Sequence, residues 1–217
     1  MMKMEFSRQE GQTLRILCLG AHSDDIELGC GGTILRLLSE RDDVEVHWVV
    51  LGSSSQRNAE ATESAKKFLA GSVKRYITVK NFRDGYFPFI GEKIKDYFEQ
   101  LKKRVSPDII FSHYRHDLHQ DHRIISELTW NTFRNHLILE YEVLKYDGDM
   151  SFPNFFVPLD KEISRKKVAY IVETFQSQRE KDWFTEDAFL SVLRIRGIES
   201  KSNGGYAEGF YCRKLII

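Results

Sequence analysis

The stretch LRILCLGAHSDD, residues 14–25, places a short apolar run directly before a cluster of polar groups. The apolar part, Leu14–Leu19, has the length of a buried strand and is closed by Gly20. From Gly31 to Arg41, apolar residues then recur at helical spacing. This part of the chain therefore predicts a strand, a polar loop and a helix, in that order.

The same alternation of strand and helix continues along the chain. Further strands are predicted over residues 44–51, 75–79, 108–112 and 139–145, and further helices over 56–70, 90–105 and 121–136. Strands that alternate with helices of this length form parallel βαβ units with helices on both faces of one sheet. We therefore predict an α/β protein, a Rossmann-like three-layer αβα sandwich with a mostly parallel sheet.

The last third of the chain has a less regular pattern. Residues 152–158 contain phenylalanine and proline and are predicted to be a loop, whereas residues 161–184 show a long helical pattern. A short helix over 187–194 and a closing apolar run, 210–217, follow. No linker, repeat or low-complexity tract interrupts the sequence, so we predict a single domain over residues 1–217.

The charges of the chain are balanced, with 32 basic and 32 acidic residues. A balanced chain has no overall positive field to attract nucleic acid, so we expect no nucleic-acid partner. The three cysteines are far apart and form no C-x-x-C pair, which is typical of a reducing compartment. No stretch is long and apolar enough for a membrane span, and residues 1–13 lack the core of a signal peptide. We therefore expect a cytoplasmic protein without a membrane span.

Two polar clusters follow the first and fourth predicted strands. They are Ala21-His22-Ser23-Asp24-Asp25 and the segment from His113 to His122, and together they contain five of the seven histidines. In a doubly wound sheet of order 3-2-1-4-5, strands 1 and 4 are neighbours, and ligands bind beyond their carboxyl ends. We therefore expect the two clusters to meet at one site.

The side chains of these clusters are typical ligands of zinc. A catalytic zinc usually takes three protein ligands and leaves the fourth position to water. His22, Asp25 and His122 provide such a set, and we predict one Zn²⁺ per chain, with another divalent metal as the alternative. Because the three protein positions are then filled, His113 and His116 are interpreted as neighbours of the site.

The glycine-rich segment Gly29-Cys30-Gly31-Gly32 stands where dinucleotide-binding folds place a phosphate-binding turn. Ile34 occupies the position of the last glycine in that motif, and Asp24, Asp25 and Glu27 would repel a phosphate. We therefore interpret the glycines as residues that let a helix approach the metal-binding loop closely.

At these residues the sequence resembles the PIG-L/LmbE-like family of zinc-dependent N-acetylglucosaminyl deacetylases. The hallmarks of the family are an Ala-His-Pro-Asp-Asp segment and a later His-x-Asp-His segment, and Ser23 replaces the proline of the first. Loss of that proline removes a fixed backbone angle and is expected to loosen the loop. Other similar segments are Gly29 to Thr33, Arg57-x-x-Glu60, Asp84-Gly85, Asp117 to His122 and Tyr206 to Phe210.

The resemblance implies a role for each polar residue of the site. The implied ligands are the three residues already named, and Asp24 would be the general base. His119 would stabilise or protonate the tetrahedral intermediate, and Asp121 would be a supporting carboxylate beside a ligand imidazole. An arginine such as Arg57 is also typical of a solvated helix start. The residues predicted to bind substrate are Arg57, Asp84 and Tyr206.

The resemblance implies a hydrolase that removes an N-acetyl group from an N-acetylglucosamine-type substrate, a small-molecule amino-sugar conjugate. In such a site zinc lowers the pKa of a water molecule, and Asp24 takes up the proton. The alternatives are an amidase acting on another sugar or thiol conjugate and a non-catalytic Rossmann-like module that binds a sugar or nucleotide. A homo-oligomer is also implied, because members of the family often assemble.

Overall fold

The computed structural model of the protein describes residues 12–216. Residues 1–11, which form most of the segment examined for a signal peptide, lie outside the described residues, as does Ile217. The strands within this part of the chain are β1 (Leu14–Gly20), β2 (Val44–Val50), β3 (Lys74–Val79), β4 (Ile109–His113), β5 (Leu137–Tyr141), β6 (Phe155–Leu159) and β7 (Tyr206–Cys212). They form one sheet in the order β3-β2-β1-β4-β5-β7-β6.

The first five strands are parallel to one another, and β7 is antiparallel to both of its neighbours. The predicted order 3-2-1-4-5 is therefore confirmed for the parallel part. The α-helices of the described chain are α1 (Asp25–Glu40), α2 (Ser55–Phe68), α3 (Gly91–Arg104), α4 (Gln120–Thr132), α5 (Lys161–Thr174) and α6 (Glu186–Glu199). Among residues 12–216, no helix has both the length and the hydropathy of a membrane span.

Two apolar clusters fill the space on the two faces of the sheet. Side chains alternate between the faces of a strand, so Ile16 and Cys18 of β1 enter one cluster, and Leu17 and Leu19 enter the other. The first cluster packs α1, α2, α5 and α6 against the sheet, and the second packs α3 and α4. This arrangement confirms the predicted three-layer αβα architecture.

Strand β6 was not predicted, because residues 152–158 were expected to form a loop. In the structure Phe155 pairs with Phe210 and Leu159 with Tyr206 on β7. Pro158 lacks an amide proton, but a proline is tolerated here because β6 is the edge strand of the sheet. The partner strand lies about 50 residues further along the chain, so local sequence carried no sign of it.

Helix α1 begins at Asp25, six residues before the predicted start, and the segment from Gly29 to Gly32 is helical instead of forming a turn. A Cβ atom on Gly29 would clash with the ring of Tyr141, and one on Gly32 would clash with Leu159 and Glu208. The glycines therefore bring the helix close to β5, β6 and β7, not to the metal-binding loop as predicted.

Helix α5 ends at Thr174, ten residues before the predicted end. A short 3-10 turn, Gln176–Gln178, follows, and residues up to Thr185 connect it to α6. The remaining boundaries shift by a few residues: α4 stops at Thr132, β5 covers Leu137–Tyr141, α6 extends to Glu199, and β7 starts at Tyr206.

Candidate active site

The carboxyl ends of β1 and β4 bring the two polar clusters to one edge of the sheet. The two strands are paired in parallel, with Cys18 opposite Phe111. The first cluster continues into the N-terminus of α1, and the second continues into the N-terminus of α4. One pocket is lined by residues from both clusters: His22, Asp24, Asp25, His119 and His122.

One ring nitrogen of His22, one of His122 and the carboxylate of Asp25 lie close together in this pocket. Nδ1 of His22 lies 3.1 Å from Nε2 of His122 and 3.4 Å from Oδ2 of Asp25. Nε2 of His122 lies 3.4 Å from Oδ1 of Asp25. Ligands held tetrahedrally at zinc bond lengths lie about 3.3–3.4 Å from one another. These atoms are close enough together for His22, Asp25 and His122 to hold one metal ion. Among the described residues, His22 and His122 also form a possible metal-binding group with His119, and Asp25 and His122 form one with His113.

The opposite ring nitrogens of the two histidines face carboxylates. Nδ1 of His122 lies 2.9 Å from Oδ2 of Asp117. Nε2 of His22 lies 3.0 Å from Oδ1 of Asp84 and 3.3 Å from Oδ2 of Asp121. A carboxylate at this position accepts a hydrogen bond from the ring N–H, so the opposite nitrogen of each ring keeps its lone pair and faces the other residues of the cluster.

Asp121 also holds the loop that follows β3. Its two carboxylate oxygens accept hydrogen bonds from the backbone N–H of Gly85 at 2.7 Å and of Phe87 at 3.1 Å. The side chain of Gln120 donates to the carbonyl of Gly85 at 2.5 Å. The loop is thereby fixed so that Asp84 reaches His22.

His119 caps the N-terminus of α4. Its Nδ1 accepts a hydrogen bond from the backbone N–H of Asp121 at 3.2 Å, so a neutral ring carries its proton on Nε2. Burial lowers the pKa of His119, and the neighbouring His122 and His22 lower it further. His119 is therefore a neutral hydrogen-bond donor on the wall of the pocket.

Asp24 forms an ion pair with Arg57, which belongs to the first turn of α2. The guanidinium Nη2 donates to Oδ1 of Asp24 at 2.6 Å, and Nη1 lies 3.9 Å from Oδ2 of Asp84. Burial raises the pKa of Asp24, although the charge of Arg57 opposes the shift. Ser54 caps α2 by accepting from the backbone N–H of Arg57, which places the arginine at the pocket.

Most of the residues predicted for the site lie together, with one exception. Arg57 and Asp84 line the same pocket as His22, Asp25 and His122. Tyr206 is at the start of β7, where its ring lies 6.0 Å from the guanidinium carbon of Arg194, and it does not line this pocket. The substrate-binding role predicted for Tyr206 is therefore not carried into the proposed function.

The sequence analysis gave no role to Asp117 or Lys145, and it interpreted His113 as a neighbour of the site. Lys145 bridges Asp117, at 3.0 Å, and Asp149, at 2.6 Å, and so fixes the carboxylate that faces His122. The ring of His113 stacks on that of His122 with centroids 3.9 Å apart. Nε2 of His113 accepts from the backbone N–H of Ala21 at 2.9 Å, so its lone pair is already used. Asp117 could have been found from its place in the second cluster, whereas Lys145 has no local signal.

Comparison with protein families identifies the group to which these residues belong. The family described as PIG-L, GlcNAc-PI de-N-acetylase, matches residues 17–133, which is more than half of the chain. The chain belongs to the PIG-L family. The predicted resemblance is thus confirmed, and the protein is a hydrolase of the deacetylase type in a family for which metal dependence is general.

Solved structures share the fold over nearly the whole chain. N,N'-diacetylchitobiose deacetylase from Pyrococcus horikoshii is 23% identical, with a TM-score of 0.67 over 92% of this chain and 83% of that one. The 4-carboxy-2-hydroxymuconate hydratase GalB from Pseudomonas putida is 18% identical, with a TM-score of 0.75 over 94% and 98%. The teicoplanin deacetylase Orf2, in a zinc-inhibited form, is 14% identical, with a TM-score of 0.71 over 91% and 97%. At these identities the likeness shows the fold alone.

Proposed function

We propose that the protein is a zinc-dependent hydrolase that removes the N-acetyl group from an N-acetylglucosamine-type substrate. The observation that carries the proposal is the close approach of one ring nitrogen of His22, one of His122 and the carboxylate of Asp25, with Asp24 beside them. Three ligands of this kind leave one position open, as in catalytic zinc sites.

When bound, zinc would polarise the acetyl oxygen and lower the pKa of the attacking water. The site holds its protein ligands ready for this task, because Asp117 orients His122, and Asp84 and Asp121 orient His22. Imidazole and carboxylate ligands without thiolate suit zinc, and Cys18 and Cys30 are buried in the apolar core instead.

The residues around the ligands supply the proton transfers of amide hydrolysis. Asp24 takes a proton from the attacking water, and its burial keeps its pKa above the usual range for a carboxyl group. The neutral His119 donates a hydrogen bond from Nε2 to the carbonyl oxygen as negative charge develops there. A bond forms between the water oxygen and the carbonyl carbon, the C–N bond breaks, and the proton held by Asp24 passes to the departing amine.

The amino-sugar substrate is supported by the named relatives. The family description and the Pyrococcus enzyme both concern acetylated glucosamine derivatives. In the present site Arg57 and Asp84 stand at the edge of the pocket, where a guanidinium and a carboxylate are able to bond sugar hydroxyls. GalB shows that the same fold also hosts a hydratase, so the reaction needs a direct assay.

The test is release of acetate by purified, zinc-loaded protein from N-acetylglucosamine, N,N'-diacetylchitobiose, an N-acetylglucosamine thiol conjugate and an N-acetylated amine without a sugar. We expect acetate and a free amine from the sugar substrates, and none after chelation of the metal. If only the thiol conjugate is cleaved, the amidase alternative replaces the proposal, and cleavage of the sugar-free amide alone overturns both. Stoichiometric zinc with no turnover of any amide would favour a binding module.

A further inference from the structure

The connection between α5 and α6 forms part of the wall of the active-site pocket. Gln178, Lys181 and Trp183 from this connection line the same pocket as His22 and Asp24. The connection lies outside residues 17–133, to which the family match is confined. Its contribution to the pocket is therefore a property of this chain that the family match does not assign.

The side chain of Gln178 is held in one orientation by Ser177 and Glu60. The hydroxyl of Ser177 lies 2.5 Å from Oε2 of Glu60, and Nε2 of Gln178 lies 3.0 Å from the same hydroxyl. A carboxylate only accepts hydrogen bonds, so Ser177 donates to Glu60 and accepts from the amide of Gln178. The nitrogen of the amide must face Ser177, which leaves the carbonyl oxygen on the other side.

The carbonyl oxygen of Gln178 has no hydrogen-bond partner among the described residues, although the residue is only 4% exposed. A buried acceptor without a partner costs free energy, and such groups in native proteins often mark the place of a ligand. Nε of Arg57, a buried donor that lines the same pocket, is also unpaired within residues 12–216. Two residues that line the pocket therefore each carry a buried polar atom without a partner, an acceptor on Gln178 and a donor on Arg57.

Helix α2 carries Arg57 itself and also Glu60, which holds the segment that contains Gln178. Arg57 and Glu60 are three residues apart on this helix, so their side chains lie on one face. Arg57 lines the pocket. Oε1 of Glu60 accepts a hydrogen bond from the backbone N–H of Ser177 at 2.9 Å, and this bond holds the turn that carries Gln178. The paired spacing explains why an arginine and a glutamate stand together in the Arg57-x-x-Glu60 segment.

We propose that Gln178 is a specificity-determining residue whose carbonyl oxygen accepts a hydrogen bond from a hydroxyl group of the amino-sugar substrate. A sugar hydroxyl both donates and accepts, so a hydroxylated ring provides partners for Gln178 and for Arg57 at once. The inference rests on the proposed function, since it takes the substrate to be an amino sugar. An analogue without this hydroxyl would leave the acceptor unpaired, and it should therefore bind with lower affinity.

The test measures binding instead of turnover. Calorimetric titration gives the Kd of zinc-loaded protein for glucosamine and for its 3-, 4- and 6-deoxy derivatives, for wild type and for Gln178→Leu. The matched control is Gln176→Leu, because Gln176 is exposed, bonds the carbonyl of Glu173 at 2.6 Å and does not line the pocket. Leucine removes the unpaired acceptor together with the hydrogen bond to Ser177, so Gln178→Leu should stay folded with a urea midpoint close to that of wild type, which urea unfolding checks.

We expect Gln178→Leu to weaken glucosamine binding about tenfold, while one deoxy sugar binds equally to variant and wild type. The control should bind glucosamine as wild type does. An unchanged Kd in Gln178→Leu, an equal loss for all four sugars, or no binding by wild type would each overturn the inference. Acetate release is measured in parallel: binding that follows the expected pattern without any turnover removes the proposed function and leaves the role of Gln178 standing.

Discussion

Nζ of Lys167 lies 2.7 Å from Oε1 of Glu208, and both residues are 3% exposed. In a regular helix the backbone N–H of Gly32 donates to the carbonyl of Leu28, and the ion pair contacts both of these groups in α1. Glu208 accepts from the backbone N–H of Gly32 at 2.8 Å, and Lys167 donates to the carbonyl of Leu28 at 2.7 Å. The ion pair therefore joins α5 and β7 to the helix that carries Asp25.

We predict that Lys167→Met lowers the free energy of unfolding by about 3–5 kcal/mol, because the charge of Glu208 would remain buried without its partner. Urea unfolding followed by circular dichroism measures the effect. Lys166→Met is the matched control, since Lys166 is exposed on the same helix, and a change within about 0.5 kcal/mol is expected there. Equal stability of the two variants would show that the buried pair contributes nothing.

Asp24→Asn should reduce acetate release by a factor of about 10²–10⁴, because asparagine keeps the shape of the side chain but cannot take up a proton. Zinc content, measured by atomic emission, should stay at one ion per chain. The control is Asp187→Asn, at an exposed position in the first turn of α6. Loss of zinc from Asp24→Asn would instead place Asp24 among the ligands.

Removing the metal should lower the melting temperature of the wild-type protein. In the proposed function zinc would bind the folded site and not the dispersed ligands of the unfolded chain, so a free concentration 100 times the Kd would add about 2.7 kcal/mol of stability. Differential scanning calorimetry with and without a chelator measures the shift. His122→Ala removes one ligand, and its melting temperature should not respond to the chelator. A response in that variant equal to the wild-type shift would mean that the ion binds elsewhere.

Asp117→Asn should weaken zinc binding about 10- to 100-fold, because Asp117 holds the ring of His122 in the orientation that presents Nε2. Competition with a chromophoric chelator gives the affinity. Asp149→Asn is the comparison. Among the described residues, Asp149 pairs with Lys145 as Asp117 does, but it forms no ion pair with His122. The prediction would be wrong if both variants bound zinc equally well.

The parallel part of the fold was predictable because its signals are local. Alternation along β1 assigns Ile16 and Leu17 to opposite faces, and helical spacing identifies the elements between strands. The meeting of His22 with His122 also followed from sequence, since strand order in a doubly wound sheet makes β1 and β4 neighbours.

Features that depend on distant partners could not be read in this way. Strand β6 exists because β7 pairs with it, and the 3-10 turn after α5 is bonded to Glu60, more than 100 residues earlier. The glycines at 29 and 32 are required by the close approach of Tyr141 and Glu208, which come from strands far along the chain.

By itself, the sequence determined the αβα architecture and the chemical nature of the site, because periodicity and residue type act over a few neighbouring positions. Only the tertiary structure decided which carboxylate orients which histidine, with Asp117 on His122 and Asp121 on His22. It also decided that Gln178 stands at the pocket. Hydrogen-bond partners are chosen by distances of about 3 Å between atoms, and such distances exist only once the chain has folded.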